Sequence, residues 1–378
     1  MANMMDYLDW RGDLTLAQSP FNEVDNLVLS QLAYVNFDYI VPPATSAESL
    51  PLREASESYF SKYREEDLSM AGYLIRVSAM LLKKMASCRR FADAKLSRFA
   101  NVIDLDQTKQ FAAMHVLLED GTVYIAYRGT DNTIVGWKEN FNMSFTTPVP
   151  AQYEAVRYLE DTAGETGAPL RIGGHSKGGN LAVYAAVKCS PGIQSRILEV
   201  YNNDGPGFDA SMTDSPEYRA MLPRVRTIVP QSSIVGMLLE HEEEYTVVQS
   251  NQKRFMQHDA MSWEVLGPRF IHVDNVTKES RLLNVALKSW LDGMDRTQRE
   301  QFVDAMFYIF EATNVKHFRD LSQAKWRKVS EIIKALNQSP ENKEVLTKTL
   351  RLLFREGTRV FLESWESKLL RKKNPSGE

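Results

Sequence analysis

The sequence predicts an α/β protein: a mostly parallel central sheet flanked by helices, with a C-terminal helical extension. Three observations carry this. Between about residues 109 and 250, short apolar runs of strand length alternate with stretches of helical periodicity. Within that alternation, Gly173-Gly174-His175-Ser176-Lys177-Gly178-Gly179 sets small residues between an apolar strand and an apolar helix. Beyond about residue 275 the strand runs stop and only helical periodicity continues. The implied organisation is an arm over 1–20, an α/β domain over 21–275 and a helical extension over 276–378.

In order along the chain, residues 1–20 have no sustained pattern and read as a loose arm. A helix starts at Asn22-Glu23-Val24-Asp25, with Val28, Leu32 and Val35 on one face, and ends before Pro42-Pro43. Residues 44–61 are polar and irregular. Residues 68–84 form an amphipathic pattern with Leu74, Val77 and Leu81 aligned, and a second helix is expected over 93–99. Strands are expected over 110–118 and 122–127, joined by the turn signal Asp120-Gly121. The second strand ends in Arg128-Gly129-Thr130-Asp131, and Trp137 and Asn140 then belong to a polar loop. A helix over 151–164 turns Ala155, Tyr158 and Leu159 inward, and the strand 168–172 leads through the glycine-rich turn into a buried helix. Further strands are expected over 196–201, 225–230 and 245–250. The extension reads as helices over 280–290, 298–313, 326–337, 344–355 and 358–370, with Phe302, Met306 and Ile309 at the spacing of a buried stripe.

Composition narrows the function classes. Hydrophobic residues are 43% and charged residues 25% of the 378, as in ordinary globular proteins, and a net charge of −4 supplies no basic field for nucleic acid. Cys88 and Cys189 stand far apart, with no CxxC and no metal-ligand spacing, so neither a disulfide framework, a metal nor a cofactor is expected. The N-terminus lacks the basic region and apolar core of a secretory signal, and no uncharged stretch reaches the length of a membrane span. These features read as a cytoplasmic protein.

The glycine-rich turn contains Gly174-x-Ser176-x-Gly178, the pattern of a nucleophile elbow. A serine hydroxyl presented from a tight strand-to-helix turn needs small residues two before and two after it, because neighbouring backbone comes close. The residue after the serine offers its backbone N–H to an oxyanion, so Lys177 serves whatever its side chain does. Thr130, Ser176, Asp204 and His258 all fall at or just beyond expected strand ends, the rim where open α/β sheets bind ligands. Serine needs a base, and His258 is the favoured one, with His241 its main rival among six histidines. His175 is expected to point away from the nucleophile and to be structural. Asp204, in a Gly/Pro-rich loop after a strand, is the favoured orienting acid, with Asp209, Asp259 and the glutamates at 240–244 as alternatives.

Tyr124-Ile125-Ala126-Tyr127-Arg128-Gly129-Thr130 together with Gly174-His175-Ser176-Lys177-Gly178-Gly179-Asn180-Leu181-Ala182 resembles the class 3 lipases among the α/β-hydrolases. The chain is more similar still to a bacterial lipase-like family without an assigned function, over roughly residues 20–320. That closer resemblance includes residues 22–37, Tyr201-Asn202-Asn203-Asp204-Gly205-Pro206-Gly207-Phe208 and Gln257-His258-Asp259. It implies an α/β-hydrolase fold, the chain order Ser, Asp, His, oxyanion donors at Thr130, and a serine hydrolase cleaving a small-molecule or lipid ester through an acyl-enzyme. Two departures stand out. Lys177 replaces the leucine of the lipase pattern. The loop after Thr227-Ile228-Val229-Pro230, where these lipases carry their acid, offers Gln231, Ser232 and Ser233 instead. Either Asp204 serves from the preceding strand's end, or the acid is missing. The alternative reading is a non-catalytic hydrolase-fold protein that binds a lipid or a protein partner. The extension is expected to pack on the hydrolase domain, and its second reading is a module that binds a protein partner or covers the substrate.

Overall fold

The computed structural model describes residues 2–64, 66, 68, 72–130, 134–143, 148–164, 167–237, 244–312, 334 and 339–373. The chain forms two compact units: Met1–Asp131 with Pro148–Val276, and Asn132–Thr147 with Thr277–Glu378.

The first unit is built on a nine-stranded sheet in the order β1-β2-β3-β4-β5-β6-β7-β8-β11. These are β1 (Ser49–Pro51), β2 (Lys95–Asp104), β3 (Lys109–Leu117), β4 (Val123–Tyr127), β5 (Leu170–His175), β6 (Ile197–Asn203), β7 (Val225–Pro230), β8 (Tyr245–Val248) and β11 (His272–Val273). β9 (Val265–Leu266) and β10 (Arg269–Phe270) make a separate short hairpin. From β4 to β8 neighbouring strands run parallel, and β1 to β4 at one edge and β11 at the other pair antiparallel. The fold is an α/β-hydrolase fold, a mostly parallel central sheet flanked by helices.

The alternation of strand side chains explains why both faces are covered. On β4, Val123, Ile125 and Tyr127 join one core with Ala155, Leu159 and Leu181, from α6 (Pro150–Ala163) and α7 (Lys177–Lys188). Tyr124 and Ala126 point the other way, into a core with Val24, Val28, Leu81 and Trp263. That second core is built by α1 (Met4–Arg11), α2 (Glu23–Leu32), α3 (Leu52–Lys62) and α4 (Tyr73–Ser87).

Residues 1–20 differ from the loose arm expected of them. Asn3 and Asp6 form a capping box that starts α1, and Met4 and Tyr7 are fully buried in the second core. The same box recurs at Asn22 and Asp25 to start α2. Arg90 then ties the segment down. It bonds Asp25 through Nε at 2.7 Å and the carbonyls of Leu14 and Ser19 at 3.1 and 3.0 Å. A helix of two turns carries too little periodicity to be seen in sequence, and its partners lie far along the chain.

Two other expectations are corrected. The helix expected over 93–99 is strand β2, which pairs with β3 along its length and bulges between Ser97 and Ala100, where Arg98 takes φ 55°. The bulge breaks the period-2 pattern that would have revealed the strand. The polar loop assigned to Trp137 and Asn140 is a helix, α5 (Ile134–Asn142), and belongs to the second unit.

That second unit also holds α8 (Lys278–Asp292), α9 (Arg296–Ala312) and α10 (Pro340–Lys373). Trp290, Met294, Phe302, Val303, Phe307 and Leu346 form its core, and Trp290 Nε1 donates to the Thr349 carbonyl at 3.0 Å. The two helices expected over 344–355 and 358–370 are one continuous helix, since only Glu356 and Gly357 separate them and one glycine does not end a helix. The helix expected over 326–337 lies almost wholly outside the described residues. No helix among the described residues is long and apolar enough to cross a membrane.

One buried group gives the fold a pH dependence. His115 on β3 lies beside Thr162 Oγ1 at 3.0 Å. Burial, with Arg98 and Arg196 nearby, pushes its pKa down to about 3. An unfolded histidine titrates near 6.5, so this group's contribution is complete above about pH 6.5 and is lost as pH falls toward 3. Between pH 6.5 and 4.5 the loss is about 2–3 kcal/mol, at about 1.4 kcal/mol per unit. Urea denaturation at pH 7 and 4.5 is expected to show this drop, and His115→Leu to reduce it. An equal drop in the variant contradicts the assignment.

Candidate active site

The turn between β5 and α7 has the geometry of an elbow. Ser176 takes φ 57° and ψ −132°, a conformation that costs an L-residue about 1–3 kcal/mol and persists only when its surroundings enforce it. They do so through close backbone approach. A Cβ on Gly174 would lie 2.3 Å from the Gly178 carbonyl carbon, and one on Gly178 would lie 2.2 Å from the Tyr127 oxygen. The Ser176 N–H donates to the Asn203 carbonyl at 2.9 Å, which joins the turn to the end of β6.

Beneath the turn lies a buried polar cluster. The Asn203 side chain donates to the Gly174 carbonyl at 3.0 Å and accepts from Asn26 Nδ2 at 2.8 Å, and the Tyr124 hydroxyl donates to Asn26 Oδ1 at 2.7 Å. Asn26, Tyr124 and Asn203 are all fully buried, so each bond is strong and each vacancy would be costly. α2 thereby braces the nucleophile strand from behind. Sequence reasoning missed this role of Asn26 and Asn203. The available signal is a pair of amides inside otherwise apolar elements.

Asp204 follows β6 directly, with φ 51°, and is fully buried. Its Oδ2 meets His258 Nδ1 at 2.7 Å. Its Oδ1 accepts from Ser233 Oγ and from the Gly236 N–H at 3.2 Å. Ser233 stands in the loop after β7, the loop in which the class 3 pattern places an acid. That loop contributes a donor to the carboxylate from the neighbouring strand. With Asp204 facing Nδ1, the imidazole carries its proton there and leaves Nε2 free to accept one.

His258 ends a short 3₁₀ helix, Arg254–His258. Gln257 fastens this segment: its Oε1 accepts from the Ser232 N–H at 2.6 Å, and its carbonyl accepts from Trp263 Nε1 at 2.9 Å. Beyond the histidine, the Tyr73 hydroxyl donates to Asp259 Oδ2 at 2.6 Å. Asp259 is thus engaged elsewhere, while Asp209 caps a short helix by accepting from the Met212 N–H at 3.2 Å. Of the other acid alternatives, Glu240, Glu242 and Glu243 lie outside the described residues, as does the rival base His241.

The oxyanion candidates flank the turn. Lys177 opens α7 directly after Ser176, so its backbone N–H lies in the first turn of the helix. Its side chain turns away from the serine, is fully buried and donates through Nζ to the Gln110 carbonyl at 2.7 Å. At the end of β4, a Cβ on Gly129 would meet the Ser176 Cβ at 3.3 Å, so this backbone passes directly beside the nucleophile. Thr130 Oγ1 next to it is buried and has no hydrogen-bond partner among the described residues. The Ser176 hydroxyl likewise makes no hydrogen bond with a described residue. The structure therefore joins Asp204 to His258 directly and brings Gly129, the residue before Thr130, beside Ser176. It shows no direct bond between Ser176 and His258.

The model of the Mbeg1-like family matches residues 85–308, more than half of the chain, a span that includes Thr130, Ser176, Lys177, Asp204 and His258. No curated protein sequence matches it. Among solved structures, the native lipase–propeptide complex of Rhizomucor miehei is 19% identical over 41% of this chain and 57% of its own, with a TM-score of 0.32. A deletion mutant of that complex is 18% identical over 46% and 59%, with a TM-score of 0.34. The M37 lipase is 14% identical over 57% and 70%, with a TM-score of 0.34. The chain thus spans under two thirds of the length of the first two.

Proposed function

Because this chain belongs to the Mbeg1-like family, a lipase-like family, we propose that it is a serine hydrolase that cleaves a carboxylic ester through an acyl-enzyme on Ser176. His258 Nε2 takes the Ser176 proton as the hydroxyl attacks the ester carbonyl, and later returns it to the departing alcohol. Asp204 holds the productive tautomer and stabilises the imidazolium. The backbone N–H groups of Lys177 and Thr130, with the Thr130 hydroxyl, receive the charge on the tetrahedral oxygen. Water then enters by the same base and frees the acid. The substrate is a small-molecule or lipid ester, and the working compartment is the cytoplasm.

The observation that carries this reading is the 2.7 Å contact of buried Asp204 with His258 Nδ1, beside a serine held at φ 57°. A carboxylate-backed imidazole and a strained serine each have a structural cost, and a nucleophilic site is the economical reason to place them together. The buried Thr130 hydroxyl, which has no hydrogen-bond partner among the described residues, supports it further as a donor. One observation favours the second reading, a non-catalytic protein that binds a lipid or protein partner: the Ser176 hydroxyl has no bond to the base. Catalytic hydrogen bonds are often long before substrate arrives, so the first reading stands.

Covalent labelling by a fluorophosphonate decides between them. The wild type is expected to react and Ser176→Ala to remain unlabelled. A folded wild type that does not react favours the binding reading.

A further inference from the structure

The base is carried on a segment with little regular structure, and catalysis requires it to be held within about 0.5 Å. Asp204 grips its ring, but a ring gripped at one nitrogen still swings if its main chain moves. The second grip comes from an unexpected residue. His175, immediately before the nucleophile, bonds through Nε2 to the carbonyl of His258 at 2.8 Å. A carbonyl has no proton to give, so His175 is the donor and carries its hydrogen on Nε2. Its Nδ1 then accepts, facing the Tyr34 hydroxyl at 3.4 Å. The two imidazoles lie 4.7 Å apart and are inclined by 33°. Trp263 closes another side of His175, with centroids 6.3 Å apart.

We propose that His175 is a positioning residue that fastens the main chain of the base to the nucleophile strand, so that Ser176 and His258 move as one body. This deepens the hydrolase reading and rests on it. His175 is therefore more than the structural neighbour its place in the motif suggests. It does point away from the reacting atoms, but the direction it takes is toward the backbone of the base. Burial, reinforced by His258 alongside, holds its pKa well below the ordinary imidazole range. It stays neutral while His258 gains and loses a proton, and so adds no repulsion to the imidazolium form.

The test compares His175→Leu, which removes the donor, with His175→Gln, whose amide reaches a position near the imidazole Nε2. Each full-length variant is checked for folding by circular dichroism, then reacted with the fluorophosphonate and with a p-nitrophenyl ester. His175→Leu is expected to lower the labelling rate and kcat about tenfold to a hundredfold with KM little changed, as positioning losses of this kind do. His175→Gln is expected to recover to within about threefold of wild type, a rescue that mere packing would not give. Should His175→Leu not fold, His175→Asn replaces it, since its shorter amide falls short of the carbonyl; the Gln variant must then exceed the Asn variant. Equal rates in wild type and the donor-less variant overturn the proposal while leaving the hydrolase reading intact. A wild type that never labels overturns both.

Discussion

Asp204→Asn is expected to leave the protein folded and to slow acylation of Ser176 by about 10³–10⁴-fold, the scale seen when a triad acid is amidated in a serine protease. The structure gives the reason. Asp204 Oδ1 receives two donors, Ser233 Oγ and the Gly236 N–H, while Oδ2 faces His258 Nδ1. An asparagine in the same space must turn its oxygen toward the two donors. Its NH₂ then faces His258 Nδ1, which has to accept rather than donate. The imidazole proton moves to Nε2, and the base can no longer take a proton from the serine. The loss thus comes from the wrong tautomer, not from a lost charge alone. Labelling rates of wild type and variant at one pH measure it, with a thermal melt as the control for folding. A variant within tenfold of wild type would remove Asp204 from the acid role.

Gly178→Ala should have a comparable effect by a different route. The added methyl would lie 2.2 Å from the Tyr127 oxygen and 2.9 Å from both the Arg128 carbonyl carbon and the Gly129 nitrogen. All three are backbone atoms at the end of β4 and in the segment leading from it to Thr130, so no side chain can swing aside. α7 and the end of β4 must separate, which moves the Lys177 N–H and Thr130 apart. A displacement near 1 Å costs roughly a hundredfold in rate, and the overpacking costs about 1–3 kcal/mol in stability. Gly192→Ala is the matched control, since a Cβ there meets nothing within 4 Å. Labelling of the Gly178 variant at the rate of that control would argue against a close-packed oxyanion site.

The parts that were legible in the sequence share a physical property. The strands from Lys109 to Val248 are apolar on both faces, the helices between them keep a 3.6-residue period, and the small residues at 174 and 178 answer a purely local steric need. Ser176, Asp204, His258, Thr130 and Lys177 could be proposed because each follows a recognisable strand end. The illegible parts lacked such a local cause. β2 hides its period behind a bulge, and α1 is anchored by the burial of Met4 and Tyr7 in a core built from distant segments, with Arg90 bonding the stretch that follows it. The buried cluster of Asn26, Tyr124 and Asn203 has no pattern of its own, since amides inside apolar elements read as exceptions.

The sequence by itself therefore determined the alternation of strands and helices, the elbow and the rim on which the polar residues stand. These follow from periodicity and from backbone space, and both act between near neighbours. Only the tertiary structure decided how those residues are shared. It paired Asp204 with His258 across 54 positions, supplied Ser233 from the loop after the adjacent strand as a donor to that carboxylate, and turned His175 toward the carbonyl of His258 across 83. The direction of a polar side chain depends on which distant group it meets when the sheet closes, and no local pattern encodes that meeting.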